Sequence, residues 1–158
     1  MSLRTGTEIA TALVPIINPN NLKIEGFYCK VGRRDHPILI SQDIRDFLPQ
    51  GIAVNDEDAL SDSRDLIRLK EIVDLNFELL GKHVETADGQ KLGKVSDYAT
   101  EVSSMFIKKL YVSQPLLKNF SGGTLGIDRT QIVEITDKKI VVNDLGAKVP
   151  AHAGAVAA

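Results

Sequence analysis

Four groups of residues in this chain have types and spacings that serve chemistry elsewhere. They are the lone thiol of Cys29, the histidines His36, His83 and His152, the carboxylates from Asp56 to Asp65, and the stretch ETADGQKLGKV at 85–95. A phosphate loop needs Gly-x-x-x-x-Gly-Lys followed by Ser or Thr, leading from a strand into a helix. Here Gly89 to Gly93-Lys94 is one residue short, Val95 stands in the Ser/Thr place, and the residues that follow have strand character. The stretch reads instead as a hairpin turn, because Asp88-Gly89 tolerates the positive φ that a tight chain reversal demands. Leu92 and Val95 lie three apart, so alternation breaks at Gly93, as it does at a glycine bulge.

The other groups also read as structure. Cys29 alternates with Phe27 and Val31, the pattern of a small buried apolar residue, and a nucleophile would need a base held beside it. No histidine has a partner at the spacing of His-Glu-x-x-His. A calcium loop counted from Asp56 needs Gly at its sixth place and Glu at its twelfth, where this chain has Ser61 and Ile67. Those carboxylates form a solvated acidic connector. The sequence thus offers no catalytic residue, no cofactor site and no metal ligand, and is read as non-enzymatic.

Nucleic-acid binding asks for clustered Lys and Arg with interleaved aromatics. Lys108-Lys109 beside Tyr111, Lys118 beside Phe120, and Arg33-Arg34 beside Tyr28 are faint versions, and they read first as solvated strand faces and loops. The stretch QPLLKNFSGG is more pointed, because Leu116, Leu117 and Phe120 are apolar residues in an insertion. They can close the end of the fold or offer a contact to a partner protein or a second copy. The candidate partner-binding set is therefore Leu116, Leu117, Phe120, Tyr111 and Lys109.

The elements that must position these residues follow from composition and repeats. The chain has 158 residues, 43% of them apolar and 25% charged, with one cysteine and a net charge of −2. That length fits one domain or two very small ones. No apolar run approaches the roughly 20 residues of a membrane span, and MSLRTGTE lacks the apolar segment of a secretory signal. A cytoplasmic protein without membrane insertion is expected. Shifting the chain by 83 residues lays GTEIATA (6–12) on GQKLGKV (89–95) and NLKIEGFYC (21–29) on SMFIKKLYV (104–112), and a shift of 88 lays GIAVND (51–56) on KIVVND (139–144). The halves read as a duplication, in which the first lacks the strand that 82–86 gives the second and must borrow, shorten or omit it.

Strands are expected at 82–86, 91–99, 105–112, 124–128, 132–136 and 139–143 in the second half, and at 8–14, 22–31, 38–41 and 51–54 in the first. Between them, an extended piece is expected over 66–69 and a short helix over 70–77, with Gly81 near its end. The Ala/Gly-rich tail is expected to be disordered. The division is then 1–64, a linker at 65–78, 79–146, and the tail at 147–158.

FELLGKHVETADGQKLGKVSDYATE resembles the opening of a PRC-barrel domain, whose pattern is Leu-(Ile/Leu)-Gly-x-x-Val, a turn with Gly, then (Leu/Ile)-Gly-Lys-Val. The matching residues are Leu79-Leu80-Gly81, Val84, Gly89 and Leu92-Gly93-Lys94-Val95. The likeness continues loosely through IKKLYV to KIVVND, and reaches the first half only through the repeat. It implies a mainly β protein, with two small antiparallel β-barrels in tandem and a short linking helix, serving as a protein-interaction or adaptor module. A second implication is a ribosome-assembly role, with ribosomal protein or RNA as partner, as in the bacterial ribosome maturation factor. That factor carries paired aromatics before its Leu-Ile-Gly, where this chain has Asp74 and Leu75.

Overall fold

Short alternating runs separated by Gly, Pro and Asn/Asp turns fold here into strands. The structure is a computed structural model and describes residues 1–33, 36–62, 66–114 and 123–143. Its strands are β1 (Thr11–Asn18), β2 (Lys23–Lys30), β3 (Ile38–Ile40), β4 (Ile44–Leu48), β5 (Gly51–Val54), β6 (Leu60–Ser61), β7 (His83–Thr86), β8 (Lys91–Glu101), β9 (Phe106–Ser113), β10 (Thr124–Asp128), β11 (Ile132–Ile135) and β12 (Lys139–Val142). One helix, α1 (Ile67–Asp74), interrupts them among the described residues. The protein is mainly β, as its alternation and turn residues predict.

Three local expectations are corrected. The linking helix begins at Ile67 rather than Lys70, because Leu66, Leu69, Ile72 and Val73 share one helical face and pack on Ile16, Ile38 and neighbouring residues of β1–β3. It ends at Asp74 because Asn76 takes a left-handed φ of 46°, which stops a helix; Gly81 plays no part in that end. β1 starts at Thr11 rather than Glu8 and runs on to Asn18. β4, absent from the expected strands, forms because the sequence around Pro49-Gln50-Gly51 reverses the chain, and Ile44, Phe47 and Leu48 pair back onto β5.

The chain divides into two compact units: Met1–Leu79 with Ala99–Lys108, and Leu80–Tyr98 with Lys109–Ala158. In the first, strands run in the order β1-β2-β3-β6, Lys23 of β2 also pairs with Phe106 at the tip of β9, and β4-β5 is a separate hairpin. Its buried side chains form two clusters, one around Cys29, Leu39, Val54 and Ala59 and one around Ile16, Ile38 and Leu69. In the second unit the order is β11-β12-β7-β8-β9-β10. Its fully buried side chains include Val84, Thr86, Leu110, Val112, Ile127, Ile140 and Val142.

The pairings describe open sheets: among the described residues nothing closes β10 onto β11, so the sheets do not form a closed barrel. Nor is the pairing wholly antiparallel, since β12 lies parallel to β7 with Lys139 opposite His83 and Val142 opposite Thr86. The chain between them is far longer than the dozen residues that a parallel connection requires.

The duplication is visible in element order. β1, β2, β3, the 3-10 turn Ser41–Asp43, β4 and β5 recur as β8, β9, β10, the 3-10 turn Arg129–Gln131, β11 and β12, at the offsets of 83 and 88. In the first repeat, residues 1–3 stand beside β5 where β7 stands beside β12. Ser2 forms a parallel bridge to Val54, as Thr86 pairs with Val142. Ser2 N donates to Thr7 O (2.9 Å) as Thr86 N donates to Gln90 O (2.9 Å), and both side chains are 1% exposed.

Candidate functional site

The 85–95 stretch is the turn between β7 and β8. Gly89 has φ 91° and its N–H donates to Thr86 O, while the Thr86 hydroxyl donates to the Asp88 carboxylate and accepts from Gln90 N at 3.0 Å. That hydroxyl holds the exposed Asp88 carboxyl below the ordinary aspartate range. Val84 faces Gly93 and Glu85 faces Lys91, so Leu92 is the extra residue of a bulge. Gly93 is required there: its φ is 140°, and a Cβ on it would lie 2.0 Å from Ser113 O. A strand follows the turn, so these glycines serve chain geometry, as the sequence predicts.

The same hairpin displays a basic surface. On β7, Val84 and Thr86 point into the core, which turns His83 and Glu85 outward. Pairing then sets Lys139, His83 and Lys94 in a row across β12, β7 and β8, with Lys91 opposite Glu85. At strand spacing the ends of the row are about 10 Å apart. These residues, with Lys138, Ser113 and Gln114, line an open depression of about 680 Å³. Glu85 accepts from Lys139 Nζ at 2.5 Å, and this pair raises the Lys139 pKa. Lys91, Lys94 and Lys138 form no ion pair with a described residue. An anionic group about 4 Å from one such ammonium gains about 1 kcal/mol in a water-like medium, and more where water is excluded. The depression is suited to carboxylates or phosphates.

The partner-binding residues expected from sequence are placed unequally. Leu110 and Val112 of β9 are fully buried, so Lys109, Tyr111 and Ser113 face outward, and Ser113 lines the depression. Lys109 is exposed opposite Asp128, and Tyr111 is half-buried opposite Gly126. Leu116, Leu117 and Phe120 lie outside the described residues, as do His152 and the tail. Lys94 stands in the sequence only as a rejected phosphate-loop lysine, and Lys91 and Lys138 carry no signal there, because only the parallel β12–β7 pairing brings residues near 139 beside those near 91.

The other chemical candidates stay dispersed. Cys29 is 2% exposed, its thiol pKa is raised by burial, and it belongs to an apolar cluster. His36 and His83 are exposed in different units. Among the described residues no three His, Cys, Asp or Glu side chains converge as metal ligands, and no helix is long and apolar enough to cross a membrane. Neither a scan against protein-family models nor a search of curated proteins finds a match to this chain.

Proposed function

We propose that the protein is a non-enzymatic adaptor built from tandem PRC-type halves, and that the outer face of its second unit docks an acidic surface of a partner protein. The observation that carries this reading is the depression lined by Lys91, Lys94 and Lys138, whose charges no described carboxylate neutralises. Tyr111 and Lys109 extend the same outward face along β9, giving an aromatic and a long aliphatic stem beside the charges. The PRC-type reading is supported by the places its motif residues take. Leu79, Val84, Leu92 and Val95 are core residues, while Gly81, Gly89 and Gly93 have positive φ.

A charge-reversed variant, Lys91→Glu with Lys94→Glu and Lys138→Glu, tests the docking face. Crosslinked partners captured by the native protein at low salt are expected to be lost by the variant while its circular dichroism and melting stay unchanged. Retention of the same partners by a folded variant sinks the reading. The second reading is a ribosome-assembly or RNA-associated role in the cytoplasm, which the same lysines favour because they also suit phosphates. Co-sedimentation with ribosomal subunits, abolished by ribonuclease and by the triple variant, distinguishes it from a protein partner.

A further inference from the structure

Lys91 and Lys94 are three residues apart on β8, and on a regular strand that spacing turns two side chains to opposite faces of the sheet. Both are nonetheless exposed, and both line the depression on the outer face of the second unit. The bulge between them is the cause. His83 pairs with Lys94, Val84 with Gly93 and Glu85 with Lys91, which leaves Leu92 without a partner on β7. That unpaired residue takes up the odd step, so Leu92 and Val95 both stay buried while the two lysines share the outer face. Lys91 and Lys94 thus stand opposite Glu85 and His83, which are two residues apart on β7. At strand spacing that interval is about 7 Å.

On the premise that this face docks an acidic partner, we propose that the Leu92 bulge selects what is docked: an extended segment of a partner protein with carboxylates at alternate positions, one on Lys91 and one on Lys94. An extended chain carries alternate side chains on one face about 7 Å apart, which is the interval between the two lysines. Carboxylates three apart point to opposite sides of such a segment, and only one of them reaches the surface. Lys139 adds little to the recognition, because Glu85 already neutralises it. Glu85 also sets the class of partner. It places a carboxylate in the lining of the depression, facing Lys91, and so repels a nucleic-acid strand, whose backbone is charged at every unit. A peptide sets a neutral residue beside each of its carboxylates and meets Glu85 without that repulsion.

The probes are two capped hexapeptides of one composition, Thr-Glu-Thr-Glu-Thr-Thr and Thr-Glu-Thr-Thr-Glu-Thr, titrated into the full chain at low salt and followed by amide and lysine NMR shifts. The first is expected to bind about fivefold more tightly, the worth of one further ammonium–carboxylate contact, with shifts at Lys91 and Lys94. Lys91→Gln and Lys94→Gln should each remove its advantage over the second. Because the peptide pair leaves the protein unaltered, a folding defect in either variant does not obscure the answer. Equal binding of the two isomers overturns the proposal; if Lys91→Glu with Lys94→Glu and Lys138→Glu then abolishes both, the acidic docking face stands without it. Absence of binding by either isomer at millimolar peptide overturns the proposal and tells against the docking face as well. Tighter binding by a uridine trinucleotide, which carries the same two negative charges, overturns it in favour of nucleic acid.

Discussion

Replacing Gly93 with alanine tests the reasoning about the β7–β8 hairpin most directly. Two costs combine at this position. The backbone φ of 140° is one that L-residues rarely adopt, and holding a side-chain-bearing residue there costs roughly 1–3 kcal/mol. The added Cβ would also lie 2.0 Å from Ser113 O and 2.9 Å from Ser113 C. Those are backbone atoms, so relief requires β8 and β9 to part locally, with about 1 kcal/mol or more lost for each ladder hydrogen bond weakened. The total is about 2–4 kcal/mol, a large share of the roughly 5–15 kcal/mol that holds a domain folded. Gly89→Ala is the control: its φ is also positive, at 91°, but nothing lies within 4 Å of the added carbon, so only the conformational cost of roughly 1–2 kcal/mol applies. Urea unfolding of the two variants and the native chain measures both losses. A Gly93→Ala variant within 0.5 kcal/mol of native, or one no worse than Gly89→Ala, refutes the claim that close strand approach dictates this glycine.

Three further outcomes are expected. Because the Asp88 carboxyl is held below its ordinary range in the folded chain, its contribution to stability is present above the unfolded aspartate value near pH 4 and is lost as pH falls through the lower folded value. Thr86→Val removes that hydroxyl and should flatten this part of the acid limb of stability against pH, as read by melting from pH 2 to 5. Burial raises the Cys29 pKa, so the neutral thiol favours the folded state, and the stability it adds is present below the unfolded value and lost as pH rises through the folded one. Alkylation of native Cys29 at pH 8 should be at least tenfold slower than in urea, and equal rates would place the thiol at the surface. Leu69→Ala uncovers the helix-bearing face of the first sheet and should cost about 2–4 kcal/mol by urea unfolding.

The second half was the more legible in sequence because its strands are bounded by turn residues and alternate cleanly. Thr124–Asp128 forms the predicted strand, and the break at Leu92–Gly93 is the predicted bulge. The first half was less legible at its beginning. Glu8–Ala10 have the pattern of a strand, but among the described residues no strand pairs with them, so β1 starts at Thr11. The helix start expected at Lys70 is three residues late because Leu66 to Leu69 fit an extended period as well as a helical one. Only packing against Ile16 and Ile38 decides between them. Of the expected partner-binding residues, Lys109 and Tyr111 were readable as outward from their alternation with Leu110 and Val112.

Residue pattern alone dictates local features. Glycines able to take positive φ fixed the turns, alternation fixed which side chains turn inward, and an offset of 83 to 88 residues fixed the order of elements in both repeats. Which edges meet depends on the folded chain. The parallel seating of β12 on β7 gathers Lys139, His83 and Lys94, and the bridge of Ser2 to Val54 seats residues 1–3 beside β5. Both follow from pairings between residues some fifty apart along the chain, and the energy of such a pairing depends on the partner strand that folding supplies rather than on any short window of sequence.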